Sequence, residues 1–264
     1  MSNIDPTAIV SPDVEIGADV TIGPFAIVEE GVTIGDHCVL QSHSIIRKKS
    51  ILGAQVRVDS FAVVGGDPQD LSFDPTVESA VKIGERVVIR EGVTIHRSSQ
   101  EAAYTEIGSE CYLMGNSHVA HDCQVGKRCV LANGAMLAGH VHMGEDVFVG
   151  GGAGIHQFQR VGMGSMIGGN AAISRDVPPQ VLVADRNQVF GLNIVGLRRR
   201  KIPTESIGDL KRCYAFIFDK LENPSKLAVQ AKAKELGHTS EGRDFLEFFQ
   251  EKGRKYCRPR QKGS

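Results

Sequence analysis

The chain has 264 residues, of which 41% are hydrophobic but only 6% are aromatic, and it contains no Trp. Its formal net charge of −1 gives no overall argument for a nucleic-acid partner, and no stretch has the length and apolarity of a membrane span or a secretion signal. The low aromatic content predicts a core built from small aliphatic side chains. The six cysteines form no C-x-x-C pair, which predicts reduced thiols in a soluble, cytoplasmic protein.

An aliphatic residue recurs at every sixth position along most of the chain. The positions are Ile4, Val10, Ile16, Ile22, Val28, Ile34, Leu40, Ile46, Leu52, Val58 and Val64, then Ile83, Ile89 and Ile95, and then Ile107, Leu113, Val119, Val125, Leu131, Leu137, Met143, Val149, Ile155, Val161, Ile167 and Ile173. A helix would return apolar residues at intervals of three and four, and a strand would alternate, so a period of six indicates short straight segments joined by similar corners. The pattern predicts a mainly β protein, a left-handed parallel β-helix of hexapeptide repeats.

Three hexads would form each coil, so residue n should lie above residue n+18, about 4.8 Å away along the axis. The residue after the aliphatic is often small, as at Gly108 and Gly126. A larger side chain there would collide with the neighbouring coil or force an unfavourable backbone angle.

The rhythm breaks twice, near 66–80 and near 97–106, and each break predicts a loop that projects from the wall. The first loop opens with the sequence Gly65-Gly66-Asp67-Pro68-Gln69-Asp70-Leu71. Its polar groups suit sugar hydroxyls and amides, although an ordinary Gly/Pro turn explains the same composition.

The repeat ends before Asp176-Val177-Pro178-Pro179, where two prolines predict a rigid exit. We expect an irregular segment as far as about Lys201, including the basic run Leu197-Arg198-Arg199-Arg200-Lys201. The spacing of Ile207, Leu210, Tyr214, Ile217 and Leu221 predicts an amphipathic helix capped by Thr204, and shorter helices should cover 225–236 and 241–252. The chain is therefore divided into a β-helix, 1–190, and a small C-terminal helical domain, 191–264.

The coil register brings three histidines near one stripe of the wall. His121 should lie beside Gly139 and His140 on the next coil, with His156 one further coil away. His121 is followed by Asp122, and a carboxylate can hold an imidazole in the tautomer that a general base needs, while the Gly139 amide could donate to an oxyanion. Two other interpretations stay open: an ordinary solvated histidine at a turn, and a zinc site shared between subunits.

Four segments occur in one order: His118-Val119-Ala120-His121-Asp122-Cys123, Leu137-Ala138-Gly139-His140-Val141, Ile155-His156-Gln157-Phe158 and Gly191-Leu192-Asn193-Ile194. With them, the chain resembles the bacterial UDP-N-acetylglucosamine O-acyltransferases over nearly its whole length. The resemblance implies the first step of lipid A synthesis, in which a (R)-3-hydroxyacyl chain moves from acyl carrier protein to the 3-hydroxyl of UDP-N-acetylglucosamine. It also implies a homotrimer with clefts between subunits, so that the histidines and the Asp70 loop can belong to different chains. No metal or free cofactor is expected, because the phosphopantetheine arm arrives with the carrier protein.

The resemblance assigns roles residue by residue. His121 matches the catalytic base and Gly139 the amide that binds the oxyanion, while Gly169 matches a position that limits acyl length, where glycine favours a longer chain. Substrate-contacting positions are matched by Gln69, Asp70, His118, His140, His156, Gln157, Asn193 and Arg199.

Ser72 and Val195 depart from the family pattern, in which lysine and glutamate occur, so a 3-amino sugar acceptor stays open. A trimeric β-helix zinc enzyme, a non-catalytic scaffold and a sister N-acyltransferase also stay open. The N-acyltransferase normally has an additional N-terminal domain, whereas this repeat begins at Ile4.

Overall fold

The computed structural model describes residues 2–220, 222–251 and 253–259. Every aliphatic position of the six-residue repeat falls in its own short strand, β1 to β26, which confirms the predicted repeat. The strands are β1 (Asn3–Ile4), β2 (Ile9–Val10), β3 (Glu15–Ile16), β4 (Thr21–Ile22), β5 (Ile27–Val28), β6 (Thr33–Ile34), β7 (Val39–Leu40), β8 (Ile45–Ile46), β9 (Ile51–Leu52), β10 (Arg57–Val58), β11 (Val63–Gly66), β12 (Ala80–Ile83), β13 (Val88–Ile89), β14 (Thr94–His96), β15 (Tyr104–Ile107), β16 (Tyr112–Leu113), β17 (His118–Val119), β18 (Gln124–Val125), β19 (Val130–Leu131), β20 (Met136–Leu137), β21 (His142–Met143), β22 (Phe148–Val149), β23 (Gly154–Ile155), β24 (Arg160–Val161), β25 (Met166–Ile167) and β26 (Ala172–Ile173).

The strands stack into three parallel sheets, one along each side of a left-handed β-helix. We call them the first sheet (β1, β4 and every third strand to β25), the second sheet (β2 to β26) and the third sheet (β3 to β24). Ile107 pairs with Val125, and Val125 pairs with Met143, so the predicted 18-residue coil is confirmed. Across the two loops Leu52 pairs with Ile83, and Ile83 with Ile107, which shows that the loops leave the register of the wall intact.

The corners explain why small residues follow the aliphatic ones. A Cβ added at Gly126 would lie 2.6 Å from the backbone of Gly144 on the next coil, which is too close for any larger residue. The left-handed backbone angle occurs elsewhere, two residues further along most corners, as at Arg128 with φ 56°. Two reasons were predicted for the small residues: collision with the neighbouring coil and an unfavourable backbone angle. The structure supports the first, the collision.

The outward residues differ between the three sheets. On the third sheet they are mostly polar or charged: Glu15, Thr33, Lys82, Glu106, Gln124, His142 and Arg160, with Ile51 as the apolar one. On the other two sheets many are apolar, among them Ile27, Ile45, Val63, Met136, Val39, Val88, Val130, Phe148 and Met166. Two of the three outer faces are therefore suited to burial against another surface.

Beyond the repeat, β27 (Val181–Ala184) extends the first sheet, and β28 (Gln188–Leu192) pairs with it in antiparallel fashion. The helices are α1 (Ile194–Arg199), α2 (Thr204–Phe218), α3 (Pro224–Ala233) and α4 (Ser240–Glu247), followed by a 3-10 turn (Phe248–Gln250) and β29 (Arg258–Pro259). Phe245 and Phe249 are fully buried where α2, α3 and α4 pack together. No helix in the described ranges has the length and apolarity needed to cross a membrane, and all six cysteines are free and buried.

The three predicted helices are present, with differences at their ends. Pro203, not Thr204, is the N-cap of α2 and makes no side-chain capping bond, and the last helix ends at Glu247 rather than near 252. Leu221 and Lys252, which belonged to the predicted pattern, lie outside the described residues. The short helix α1 was predicted as irregular chain; it forms because the Asn193 side chain accepts a hydrogen bond from the Gly196 amide at 3.0 Å.

Candidate active site

His121 lies in the corner between β17 and β18, with only 14% of its side chain exposed. Its Nδ1 atom is 2.7 Å from Oδ2 of Asp122. The left-handed backbone of Asp122, with φ 61°, turns this carboxylate back towards the preceding side chain. Because a carboxylate only accepts hydrogen bonds, Nδ1 carries the proton and Nε2 is the atom left to act as a base.

Asp122 is held from its other side by the second loop. Its carboxylate accepts hydrogen bonds from the Ser98 hydroxyl, from the Ser99 hydroxyl at 2.6 Å and from the Ser99 amide, while its own amide donates to Thr105 at 2.8 Å. Burial alone would raise the pKa of Asp122, but the hydrogen bonds from Ser98, Ser99 and His121 outweigh it and leave this pKa below its usual value. The carboxylate therefore stays ionised next to His121.

Gly139 packs directly against the His121 ring from the next coil. A Cβ at this position would lie 2.7 Å from Cε1 and 2.8 Å from Nε2 of His121, so no side chain fits without displacing the imidazole. No described residue accepts a hydrogen bond from the Gly139 amide. The predicted neighbour relationship is observed, and the free amide can donate to a negative charge beside Nε2.

His140 occupies the next corner position and borders the same carboxylate. Its Nε2 lies 3.6 Å from Oδ2 of Asp122, and its ring stacks on Phe158 with centroids 4.5 Å apart. Burial lowers the pKa of His140 more than the charge of Asp122 raises it. His140 is thus favoured in the neutral form, in which one ring nitrogen donates a hydrogen bond and the other accepts one.

His118 is fixed by the strand before the second loop. Its Nδ1 lies 2.7 Å from the Thr94 hydroxyl, and its ring meets the buried His96 ring edge to face at 4.8 Å. Burial, followed by the charge of His121, lowers the pKa of His118. Burial also lowers the pKa of His96, to about 4, so both rings are neutral near pH 7.

These groups open onto a groove of about 620 Å³ along the wall. Its polar edge is formed by residues from both the loop and the repeat, and its floor is apolar. The predicted site residues that line it are Gln69, His118, His121, Gly139, His156 and Gln157, and the floor includes Met136, Leu137, Ile155, Ala172 and Ile173. One side of the groove can carry out acid–base chemistry, while the other can hold a hydrocarbon chain.

Comparison with known proteins shows the family of this chain. The model for domain 2 of UDP-N-acetylglucosamine O-acyltransferases matches 176–257, and the bacterial hexapeptide transferase model matches 13–48 and 104–139. The acyl-[acyl-carrier-protein]–UDP-N-acetylglucosamine O-acyltransferase of Thermodesulfovibrio yellowstonii is 40% identical over 98% of this chain and all of its own length. The chain belongs to the UDP-N-acetylglucosamine O-acyltransferase family. It is therefore an acyltransferase, as the resemblance implied.

Further members of this acyltransferase family agree in sequence and structure. The relative of the same name from Chlamydia caviae is 43% identical, covering 95% of this chain and 89% of that protein. The solved UDP-N-acetylglucosamine acyltransferase of Campylobacter jejuni superposes with a TM-score of 0.91 at 33% identity, covering 98% of this chain and all of that one. The repeat and the C-terminal helices are thus shared end to end.

The other predicted residues of this acyltransferase do not line the groove: they are Asp70, His140, Gly169, Asn193 and Arg199. Asp70 lies beside Gln69 on the loop, where its carboxylate accepts from the Ser72 amide at 2.9 Å and hydroxyl at 2.8 Å. These hydrogen bonds lower the pKa of Asp70. Ser72 therefore binds the aspartate directly. Within one chain the loop already borders the histidine groove.

Asn193 and Arg199 lie on another face, beside a second hollow of about 330 Å³ that also includes Phe148 and Val195. Asn193 caps α1 and donates to the Gly164 carbonyl at 2.9 Å. Gly169 lies in the corner between β25 and β26, outside the lining of the groove. A single chain therefore separates the predicted residues into two groups.

The one cluster of potential metal ligands found in the described ranges borders the groove at His121. His121, Asp122 and His140 each offer an atom within 4.8 Å of the others. Both Asp122 oxygens already accept hydrogen bonds, and His121 uses Nδ1 to contact one of them. These three residues are therefore arranged to orient the His121 imidazole. The Asp122 carboxylate that a metal would need already binds the serine hydroxyls.

Several supporting residues were absent from the sequence-based prediction. Ser98, Ser99 and Thr105 hold Asp122, Thr94 holds His118, and Phe158 stacks on His140. The break in the repeat near 97–106 was a signal for the serines, because a loop projecting from the wall can reach the next coil. Phe158 could be found from the register, since it lies 18 residues after His140.

Proposed function

We propose that this chain transfers a (R)-3-hydroxyacyl group from acyl carrier protein to the 3-hydroxyl of UDP-N-acetylglucosamine, with His121 as the general base. Relatives about 40% identical over nearly the full length carry the name of this activity. The observation that carries the proposal is the contact of His121 with Asp122 at Nδ1, which leaves Nε2 facing Gly139 on the next coil. The reaction is the first step of lipid A synthesis, and we place the enzyme in the cytoplasm.

The geometry suggests how the residues act. Nε2 of His121 takes the proton from the sugar hydroxyl as its oxygen attacks the thioester carbonyl carbon. The Gly139 amide donates a hydrogen bond to the carbonyl oxygen and stabilises the negative charge that forms there. The carbon–sulfur bond then breaks, and the thiolate of the phosphopantetheine arm takes the proton back from His121. Asp122 stabilises the transient imidazolium. The proposed reaction uses no free cofactor, because the acyl group arrives on the phosphopantetheine arm of the carrier protein.

The apolar floor supplies a place for the acyl chain. Ala172 and Ile173 line the groove on β26, the strand that follows Gly169 in the same coil. A glycine at position 169 leaves room for a longer chain to continue past that coil. Gln69, His118, His156 and Gln157 would contact the polar parts of the substrates from the edge of the groove, and His140 would act next to them through its position beside Asp122.

A homotrimer would unite the two groups of residues. The first and second sheets carry apolar outward residues, whereas the third is polar, so each chain has two faces to bury and one to expose. Contact of one chain's first sheet with another chain's second sheet is heterologous and closes after three copies around an axis. Such a contact would bring Asn193 and Arg199 of one chain to the histidine groove of its neighbour.

The decisive test is acyl transfer from hydroxyacyl carrier protein to UDP-N-acetylglucosamine, with wild type and His121→Ala compared. We expect His121→Ala to lose activity by about 10²- to 10⁴-fold, the usual contribution of a general base. His37→Ala is the matched control, because His37 also lies in a left-handed corner but has an exposed side chain, 3.9 Å from Asp19. Equal rates for wild type and His121→Ala would contradict the base assignment.

The acceptor is tested in the same assay with the 3-amino analogue of the sugar. Preference for the hydroxyl is expected. Turnover of the amine alone would show that the enzyme is an N-acyltransferase, and inactivity on both acceptors would contradict the proposed reaction and call for metal analysis.

A further inference from the structure

We propose that Arg97 is a positioning residue, which holds the loop 67–79 in the conformation that presents Gln69 and Asp70 to the groove. The inference rests on the proposed function, because it assigns the loop to acceptor binding. It is carried by the contacts of one side chain, which all converge on this loop.

Arg97 follows β14 and reaches both ends of the loop. Its backbone amide donates to the Gly66 carbonyl at 2.8 Å, just before the loop begins. Its guanidinium donates to Asp67 at 2.8 Å and to the Ser79 hydroxyl at 3.1 Å, just before the chain re-enters the wall. The side chain is only 12% exposed, which is unusual for a charged group and indicates that its position is fixed by these contacts.

The same guanidinium also binds the middle of the loop. It donates to the carbonyls of Pro75, at 3.1 Å, and of Val77, and it lies over the Phe73 ring at 4.8 Å from the ring centre. A planar guanidinium presents five donors in a fixed fork and stacks flat on an aromatic ring, whereas a lysine offers one compact ammonium group with three donors. One residue therefore joins five points of the loop.

The middle of the loop, 69–77, has few other means of holding its shape, whereas Glu78 at its far end also binds Lys49, Glu101 and the Ala102 amide. Residues 69–77 are largely exposed, and their own hydrogen bonds are local: Asp70 with Ser72, and Asp74 with Thr76. Within the described part of the chain, every hydrogen bond that joins 69–77 to a residue outside the loop comes from Arg97. Since the loop has almost no apolar core, removal of Arg97 would leave its middle unsupported.

Arg97 acts from behind the loop, not from within the groove. It lines a separate polar hollow of about 300 Å³ together with Arg47 and Pro75, and it is absent from the residues that line the histidine groove. It therefore contacts no substrate and influences the reaction through Gln69 and Asp70. The adjacent Ser98 and Ser99 hold Asp122, so the two tasks belong to separate side chains.

The experiment compares steady-state kinetics of wild type, Arg97→Ala and Arg97→Lys with both substrates. In Arg97→Ala we expect the KM for the sugar nucleotide to rise roughly 10- to 100-fold, with the KM for the carrier protein unchanged and kcat within about threefold. Arg97→Lys should recover only part of the loss. Arg47→Ala is the matched control, because Arg47 lines the same hollow but pairs with Glu29 at 2.6 Å.

Hydrogen exchange of the loop, measured without substrate, separates this proposal from the proposed function. In Arg97→Ala the amides of 67–79 should exchange faster while those of the wall are unchanged, whatever acceptor the enzyme uses. Circular dichroism and the melting temperature check that the variant folds. An unchanged exchange rate in the loop, an unchanged KM for the acceptor, or full recovery by Arg97→Lys would overturn the proposal.

Discussion

The Nδ1 atom of His121 lies 2.7 Å from Oδ2 of Asp122, although the two residues are neighbours in the chain. Consecutive side chains normally point in different directions, and here the left-handed φ of 61° at Asp122 brings them together. Each coil has such a corner, so the β-helix itself provides the geometry. The second loop then supplies the hydroxyls of Ser98 and Ser99 that hold the carboxylate in place.

Replacing Asp122 by Asn should reduce kcat by roughly 10³-fold and leave both KM values nearly unchanged. The asparagine amide can donate to Nδ1, which moves the imidazole proton to Nε2 and removes the base from the groove. Steady-state kinetics check this result. Asp19→Asn makes the same replacement at another left-handed corner, next to His37, and should retain full activity. A kcat for Asp122→Asn close to that of wild type would mean that Asp122 is only a turn residue.

Replacing Gly139 by Ala should lower kcat roughly 100-fold, because the new methyl group would displace the His121 ring. The backbone of Gly139 does not have a left-handed φ, so alanine adds no backbone strain there. Gly151→Ala is the matched control: it occupies the same position of a corner, but its Cβ would meet the Asn133 carbonyl at 3.3 Å. Similar losses in both variants would indicate a general packing defect instead of displacement of His121.

The sequence predicted the wall better than the site because the two depend on different interactions. One repeated residue per hexad, buried in every coil after the first, fixes the register, and that register placed His121 next to Gly139. The role of Asp122 could not be predicted in this way, since it depends on hydroxyls from an insertion outside the repeat. The helix α1 was missed for a similar reason: a single contact between Asn193 and Gly196 starts it, without any apolar period.

The free energy of unfolding should decrease as the pH is lowered from about 6.5 to about 4, because of His96. Burial, with smaller contributions from the charges of His118 and His121, lowers the pKa of His96 from 6.5 to about 4, and Asp67 opposes this only weakly. Below pH 6.5 the unfolded chain binds a proton at this residue before the folded chain does, so protonation favours unfolding. The stability that His96 contributes is therefore present above pH 6.5, and its loss is complete below about pH 4.

Chemical denaturation at pH 7 and pH 5 checks this prediction. Between these two values His96 should account for a loss of about 2 kcal/mol in the free energy of unfolding. In His96→Asn the drop between pH 7 and pH 5 should be smaller by that amount, whatever the stability of the variant at pH 7. An equal drop in wild type and variant would show that His96 does not titrate on unfolding.

An aspartate on the outer face of the second sheet should separate the chains of the proposed trimer. Ile45 is half-buried in the single chain, on a strand remote from the histidine groove. In a trimer, Ile45→Asp would place an unpaired carboxylate in each of three interfaces, and the desolvation of each would cost several kcal/mol. Sedimentation velocity over a range of concentrations should show three times the chain mass for wild type and a lower mass for the variant.

Ile51→Asp provides the control, because it makes the same substitution on the third sheet, between Thr33 and Lys82. That face is polar, so the aspartate stays in water and the assembly should keep its mass. Because the proposed site needs Asn193 and Arg199 from a second chain, the activity of Ile45→Asp should fall on dilution together with its mass. A monomeric wild type, or equal dissociation of both variants, would contradict the assignment of the interface to the first and second sheets.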